Sequence, residues 1–179
     1  TMTDLPSGRL LRQIPQTVRR RPDGTQPPPS RKAGPNPQFG HYPCTNGIAV
    51  APVGAGYLFT ANGGTNDVTV VDLAAARDGR PAEVVHIPVE TGPFGIAVSP
   101  DASLVAVASR ECARTGKEGS TISLIDVAAA ISGSPDAERA RVRVGSDDPG
   151  ENTRPSAVAF TSDGAQVIAT CFRSNTVSF

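Results

Sequence analysis

From residue 41 onward the chain repeats one pattern three times. Gly47-Ile48-Ala49-Val50-Ala51-Pro52 returns as Gly95-Ile96-Ala97-Val98-Ser99-Pro100 and, more loosely, as Ala157-Val158-Ala159-Phe160-Thr161-Ser162. Each copy enters a turn, at Val53-Gly54-Ala55-Gly56, Asp101-Ala102-Ser103 and Asp163-Gly164-Ala165. A second apolar run follows over 57–62, 104–109 and 167–171, then a third over 66–72, 120–126 and 175–179. Residues 41–179 number 139, so three units average about 46 residues. That is the size of a small sheet unit that buries its faces by stacking on copies of itself.

The runs are short, rich in β-branched residues and bounded by Gly, Asp, Asn or Pro, which predicts strands. With 18 Gly, 17 Pro, no Trp and 4% aromatics, turn-rich β-structure is favoured over long helices. The first two runs of each unit are apolar on both faces, as expected of sheets sandwiched between neighbouring sheets. A fourth strand, expected to be the innermost, fits 83–89 and 140–145, and Pro88 suits a strand with one free edge. Ala74–Ala76 and Ala128–Ile131 lie between units and predict helical turns, while Asp72 and Asp126 are expected to hold turns.

The P-x-G-I-A-V-S-P-D pattern of Pro93 to Asp101, followed by the run Ser120 to Asp126 with its S-x-I-D ending, resembles the YVTN repeat. That repeat builds seven-bladed β-propellers, a superfamily that includes lactonase-like enzymes. The resemblance covers residues 41–179. It implies an all-β fold, with about three four-stranded blades of a seven-bladed ring. Related propellers host lactone hydrolysis, quinoprotein dehydrogenase heavy chains, copper sites and pure binding, so the resemblance implies no single chemistry.

Residues 1–40 read as a separate extended arm. They hold seven basic residues (Arg9, Arg12, Arg19, Arg20, Arg21, Arg31, Lys32) against Asp4 and Asp23, together with Pro27-Pro28-Pro29, Pro35 and Pro37. Such a segment is extended or polyproline-like, with Leu10–Ile14 its one stretch suited to strand pairing. Two readings stand: a docking arm for an acidic surface or RNA, or a solvated arm lying across its own acidic domain. Arg19-Arg20-Arg21 has no interleaved aromatics for base stacking, and the whole chain balances 17 basic against 17 acidic residues, so no nucleic-acid partner is expected. Apolar runs are too short to span a bilayer, so no membrane partner is expected either. Met2 reads as the native start with no secretory signal after it, which predicts a cytoplasmic protein. Cys44, Cys112 and Cys171 have neither metal-site nor disulfide-framework spacing.

Where copper-binding relatives carry P-H-G at the channel mouth, this chain carries Asn46, Phe94 and Ser156. With only His41 and His86, it cannot build a multi-histidine centre alone, and no metal or cofactor is expected. Asn46, Phe94, Arg154 and Ser156 are the candidate ligand-binding residues. His86, placed on the expected inner strand, is either a general base or a hydrogen-bonded structural histidine. Arg141 and Arg143 either line the channel for an anion or face solvent on a half-exposed strand. The insertion Cys112–Gly119 reads as a surface loop, and no G-x-S-x-G, H-E-x-x-H, P-loop or dinucleotide fingerprint is present.

Two functions from different classes follow. One is a hydrolase-like, lactonase-like enzyme acting on a small organic molecule in the channel; the other is a non-catalytic scaffold binding a ligand or protein. Three blades cannot bury their outer faces, so a second polypeptide, expected to be the C-terminal fragment of the same precursor, completes the ring. Phe179 aligns with the mid-strand residues Val70 and Leu124. This makes it a candidate cleavage site, cut either by a Ser, Thr or Cys nucleophile following it or by a protease, with plain truncation as the remaining reading.

Overall fold

The computed structural model describes residues 2–4, 9–12, 43–112 and 115–179. β1 (Met2–Asp4) and β2 (Arg9–Arg12) pair antiparallel. The rest of the basic arm, and the expectations attached to it, lie outside the described residues, as does His41.

The first sheet is a meander of β3 (Thr45–Ala51), β4 (Tyr57–Asn62), β5 (Asp67–Asp72) and β6 (Glu83–Pro88), with helix α1 (Leu73–Asp78) between the last two strands. The second repeats it as β7 (Pro93–Val98), β8 (Leu104–Ser109), β9 (Thr121–Asp126), α2 (Val127–Ile131) and β10 (Glu138–Arg143). The third contains β11 (Pro155–Phe160), β12 (Val167–Cys171) and β13 (Thr176–Ser178), and stops at three strands where the others have four. All pairings are antiparallel.

The repeated turn residues have repeated jobs. The Asp101 carboxylate accepts from Ser99 Oγ at 2.6 Å, Ser103 N at 3.1 Å and Ser103 Oγ at 2.9 Å, closing the β7–β8 turn. Asp163 does the same between β11 and β12, accepting from Thr161 Oγ1 at 2.6 Å and Ala165 N at 3.0 Å. Asp72 and Asp126 are helix N-caps: Asp72 Oδ1 accepts from Ala74 N at 2.8 Å and Ala75 N at 3.0 Å, and Asp126 Oδ1 from Ala129 N at 2.9 Å.

Sheets pack face to face. Phe59, Val68, Val70 and Ile87 of the first meet Val105, Val107, Ile125 and Ala130 of the second in one buried cluster. Ala106, Ala108 and Ile122 meet Ala169 of the third, with Val158 and Phe160 against them. Each large side chain removed from water here stabilises the stack by about 1.5–3 kcal/mol.

The sheets converge along β3, β7 and β11. A Cβ on Gly47 would collide with the Phe94 carbonyl oxygen and lie 3.0 Å from Ile96 Cγ2; one on Gly95 would collide with the Ser156 carbonyl and lie 3.0 Å from Ala157 Cα. The G-I-A-V strands are therefore the axial ones. β6 and β10 form the opposite, outer edge of each sheet, where α2 packs beside β6 and fills the widening gap. This corrects the expectation that 83–89 and 140–145 are innermost. The sheets are consecutive blades of a partial β-propeller, and the described residues are all-β apart from two short helices. The two end faces of the stack are open: Ile48 is 65% exposed on one and Val177 is 54% exposed on the other.

Candidate functional site

Each axial strand carries a β-bulge at its first residues. The register slips between Thr45 and Gly47, between Pro93 and Gly95, and between Pro155 and Ala157. The skipped residues are Asn46, Phe94 and Ser156, three of the four residues predicted from the repeat to bind ligand. A bulge re-aims the side chain it carries, and here it does so at the same end of all three blades. The residue two places earlier adopts left-handed backbone in every copy: Cys44 at φ 49°, Gly92 at φ 68° and Arg154 at φ 52°. For Cys44 and Arg154 that costs on the order of 1 kcal/mol each. Their carbonyls accept from the residue just beyond the second strand, with Gly63 N on Cys44 O at 3.2 Å, Arg110 N on Gly92 O at 2.8 Å and Phe172 N on Arg154 O at 3.0 Å.

These three layers form the mouth of the axis. Asn46 Nδ2 donates to Pro93 O at 3.1 Å, tying the first blade to the second, and Ser156 Oγ donates to Arg154 O at 3.1 Å. The Arg110 guanidinium lies over the Phe94 ring at 4.8 Å from its centre and over Phe172 at 5.5 Å. Arg154 lies over Phe172 at 5.9 Å, pairs with Glu111, and has its Nε 3.4 Å from Glu118. Arg173 pairs with Glu118 at 2.8 Å. The insertion joins β8 to β9 and exposes Thr115 and Lys117. It is pinned by the Glu111–Glu118 bridge, which places Glu118, and Glu111 just before the insertion, at the mouth. A Cβ on Gly92 would overlap the Glu111 and Cys112 backbone, which explains why glycine occupies the left-handed position in that copy.

The sequence reading missed Arg110 and Phe172. Both occupy the position right after the second run of their repeat, where the first copy has Gly63, and a register comparison at that position would have found them.

His86 is elsewhere. It lies on β6, the outer edge strand, opposite Thr69, with Nδ1 3.1 Å from Thr69 Oγ1 and 3.7 Å from Asp67 Oδ2, and Nε2 3.8 Å from Glu83 Oε2. Burial pulls its pKa down, but hydrogen bonding and charge from Asp67 and Glu83 outweigh this and raise it to about 9. Asn62, Asp67 and Thr69 complete this buried polar network, with Asn62 Nδ2 donating to Asp67 at 2.8 Å and to Thr69 at 2.7 Å. An imidazole hydrogen-bonded to Thr69 beside the Asp67 and Glu83 carboxylates on the outer strand fits the structural reading of His86, and its expected position on the inner strand is corrected. Arg141 and Arg143 share that outer position, on β10. Arg141 forks onto Glu138 at 2.9 and 2.7 Å, and Arg143 donates to backbone carbonyls including Ser146 O at 3.2 Å; neither lines the axis. Among the described residues no group of three or more His, Cys, Asp or Glu is placed to hold a metal ion, and no helix is long and apolar enough to cross a membrane.

No protein-family model matches the chain, and no curated protein does. Solved structures do. A chain of hydrazine synthase from Kuenenia stuttgartiensis is similar over 68% of this chain and 28% of its own length, with 25% sequence identity and a TM-score of 0.51. Virginiamycin B lyase from Staphylococcus aureus is similar over 78% of this chain and 41% of its own, with 16% identity and a TM-score of 0.44. The chain therefore spans less than half the length of either structure. The first likeness is to a much longer chain and supports the β-propeller fold read from the blades.

Proposed function

We propose that this chain contributes the axial mouth of a YVTN-type β-propeller that binds a small organic molecule there. The observation that carries the reading is the triple bulge, which turns Asn46, Phe94 and Ser156 to one end of the axis beside Arg110 and Arg154. An amide, a hydroxyl, an aromatic ring and guanidinium groups make a recognition set. The lactonase-like resemblance makes hydrolase-like turnover of the bound molecule the form of activity to look for, with the proton-transfer groups supplied by further blades. Those blades belong to a second polypeptide packed on the uncovered Ile48 and Val50 face and on the Val177 face.

Ligand-detected NMR against a panel of organic acids, amides and lactones tests the reading, with wild type compared to an Asn46→Ala/Phe94→Ala/Ser156→Ala triple variant. The triple variant is expected to lose binding of at least one class that wild type retains. Equal binding by both proteins across the panel would reject the mouth as the site.

A further inference from the structure

We infer that Arg110 is the anion-recognising residue of the axial mouth and that the ligand it takes carries a carboxylate. The inference rests on the reading of the mouth as a small-molecule site. Within the cluster the other charges have ion-pair partners, Glu111 with Arg154 and Glu118 with both Arg154 and Arg173, even though Arg154 Nε and Glu118 Oε2 are buried without a hydrogen bond. Arg110 has no carboxylate partner among the described residues. Its Nε–H is buried and makes no hydrogen bond, and a buried donor left unpaired is costly until an acceptor reaches it.

The aromatic rings decide how that acceptor arrives. The guanidinium carbon lies over the Phe94 and Phe172 rings, so an acceptor reaches the guanidinium through the N–H edge that the rings leave uncovered. That edge presents paired donors whose spacing matches the two oxygens of a planar carboxylate. The rings also hold the fork in place, so little freedom is lost when ligand binds. Asn46 and Ser156, at the equivalent bulges, are positioned for the uncharged remainder of the molecule.

Benzoate, its neutral analogue benzamide and inorganic phosphate are the probes, titrated calorimetrically into the full chain and into Arg110→Gln and Arg110→Lys variants. Wild type is expected to bind benzoate at least about tenfold more tightly than benzamide or phosphate, and Arg110→Gln to weaken benzoate about tenfold or more while leaving benzamide unchanged. Arg110→Lys keeps the charge but loses the fork, and is expected to weaken benzoate less than Arg110→Gln does; it carries the test if Arg110→Gln does not fold. Absence of benzoate binding at millimolar concentration, phosphate binding as tightly as benzoate, or benzoate binding unchanged in both variants each overturns the inference. A Phe94→Ala variant separates it from the reading beneath. If that change weakens both aromatic probes while the Arg110 variants change neither, the mouth remains a site and the carboxylate assignment falls. If none of these variants changes binding, both fall.

Discussion

Gly47 sits so close to the Phe94 carbonyl that any side-chain carbon on it would overlap that oxygen. Gly95 stands in the same relation to Ser156. The obstructing atoms are backbone, so neither can swing aside. Gly47→Ala and Gly95→Ala are each expected to destabilise the protein by about 2–3 kcal/mol, read as a lower urea midpoint. A midpoint unchanged in both would mean the blades do not converge along these strands.

Asn62 uses its whole amide. Thr45 Oγ1 and Thr60 Oγ1 donate to its Oδ1 at 2.9 and 3.1 Å, and its Nδ2 reaches Asp67 and Thr69. The equivalent network in the second blade is not made, for Ser109 and Ser123 hold buried hydroxyls without hydrogen-bond partners among the described residues. Asn62→Ala should therefore cost about 2–4 kcal/mol, because it strands several buried groups, while Ser109→Ala changes stability by less than about 1 kcal/mol. Chemical denaturation of the two variants side by side checks the contrast, and equal losses would contradict it.

His86 sets a pH dependence. Its folded-state pKa is raised from 6.5 to about 9 by Asp67 and Glu83 against the opposing effect of burial. The protonated form is thus favoured by folding: its contribution is complete below pH 6.5 and is lost as the pH rises through 9. The thermal midpoint of wild type is expected to fall over that window, and His86→Gln to flatten the fall. A profile with the same slope in both proteins would show that another group is responsible.

Ala102 holds φ at 56° in the turn where the third blade has Gly164 at φ 72°. A left-handed alanine is strained and a glycine is not, although glycine loses more entropy on folding. Ala102→Gly is expected to raise stability by about 0.5 kcal/mol, seen as a small increase in thermal midpoint; a decrease would refute the strain.

The repeat made most of the fold legible. Its strands lie within two residues of their expected positions, the alanine runs form α1 and α2, and Asn46, Phe94 and Ser156 occupy equivalent bulges because they are equivalent letters of one pattern. The order of strands from axis to rim was not legible. Glu83–Pro88 alternates and carries a proline, which suits either edge of a sheet, inner or outer. The channel positions of His86, Arg141 and Arg143 fell with it, while the readings of a structural histidine and of arginines on a half-exposed strand fit the outer edge.

What the sequence determined alone is therefore periodic and local: strand, turn and cap recur wherever the same side chains meet the same backbone demands, as Asp72 and Asp126 do at their helices. What only the tertiary structure decided is which edge of each sheet meets its neighbours. That choice depends on whether two backbones can approach, and it is made by Gly47 and Gly95, which leave room for the carbonyls of the next blade. Arg110 and Arg154 belong to the same category. They lie 44 residues apart in the chain and meet at one mouth around Phe172, because stacking the blades brings the ends of β8, β11 and β12 together.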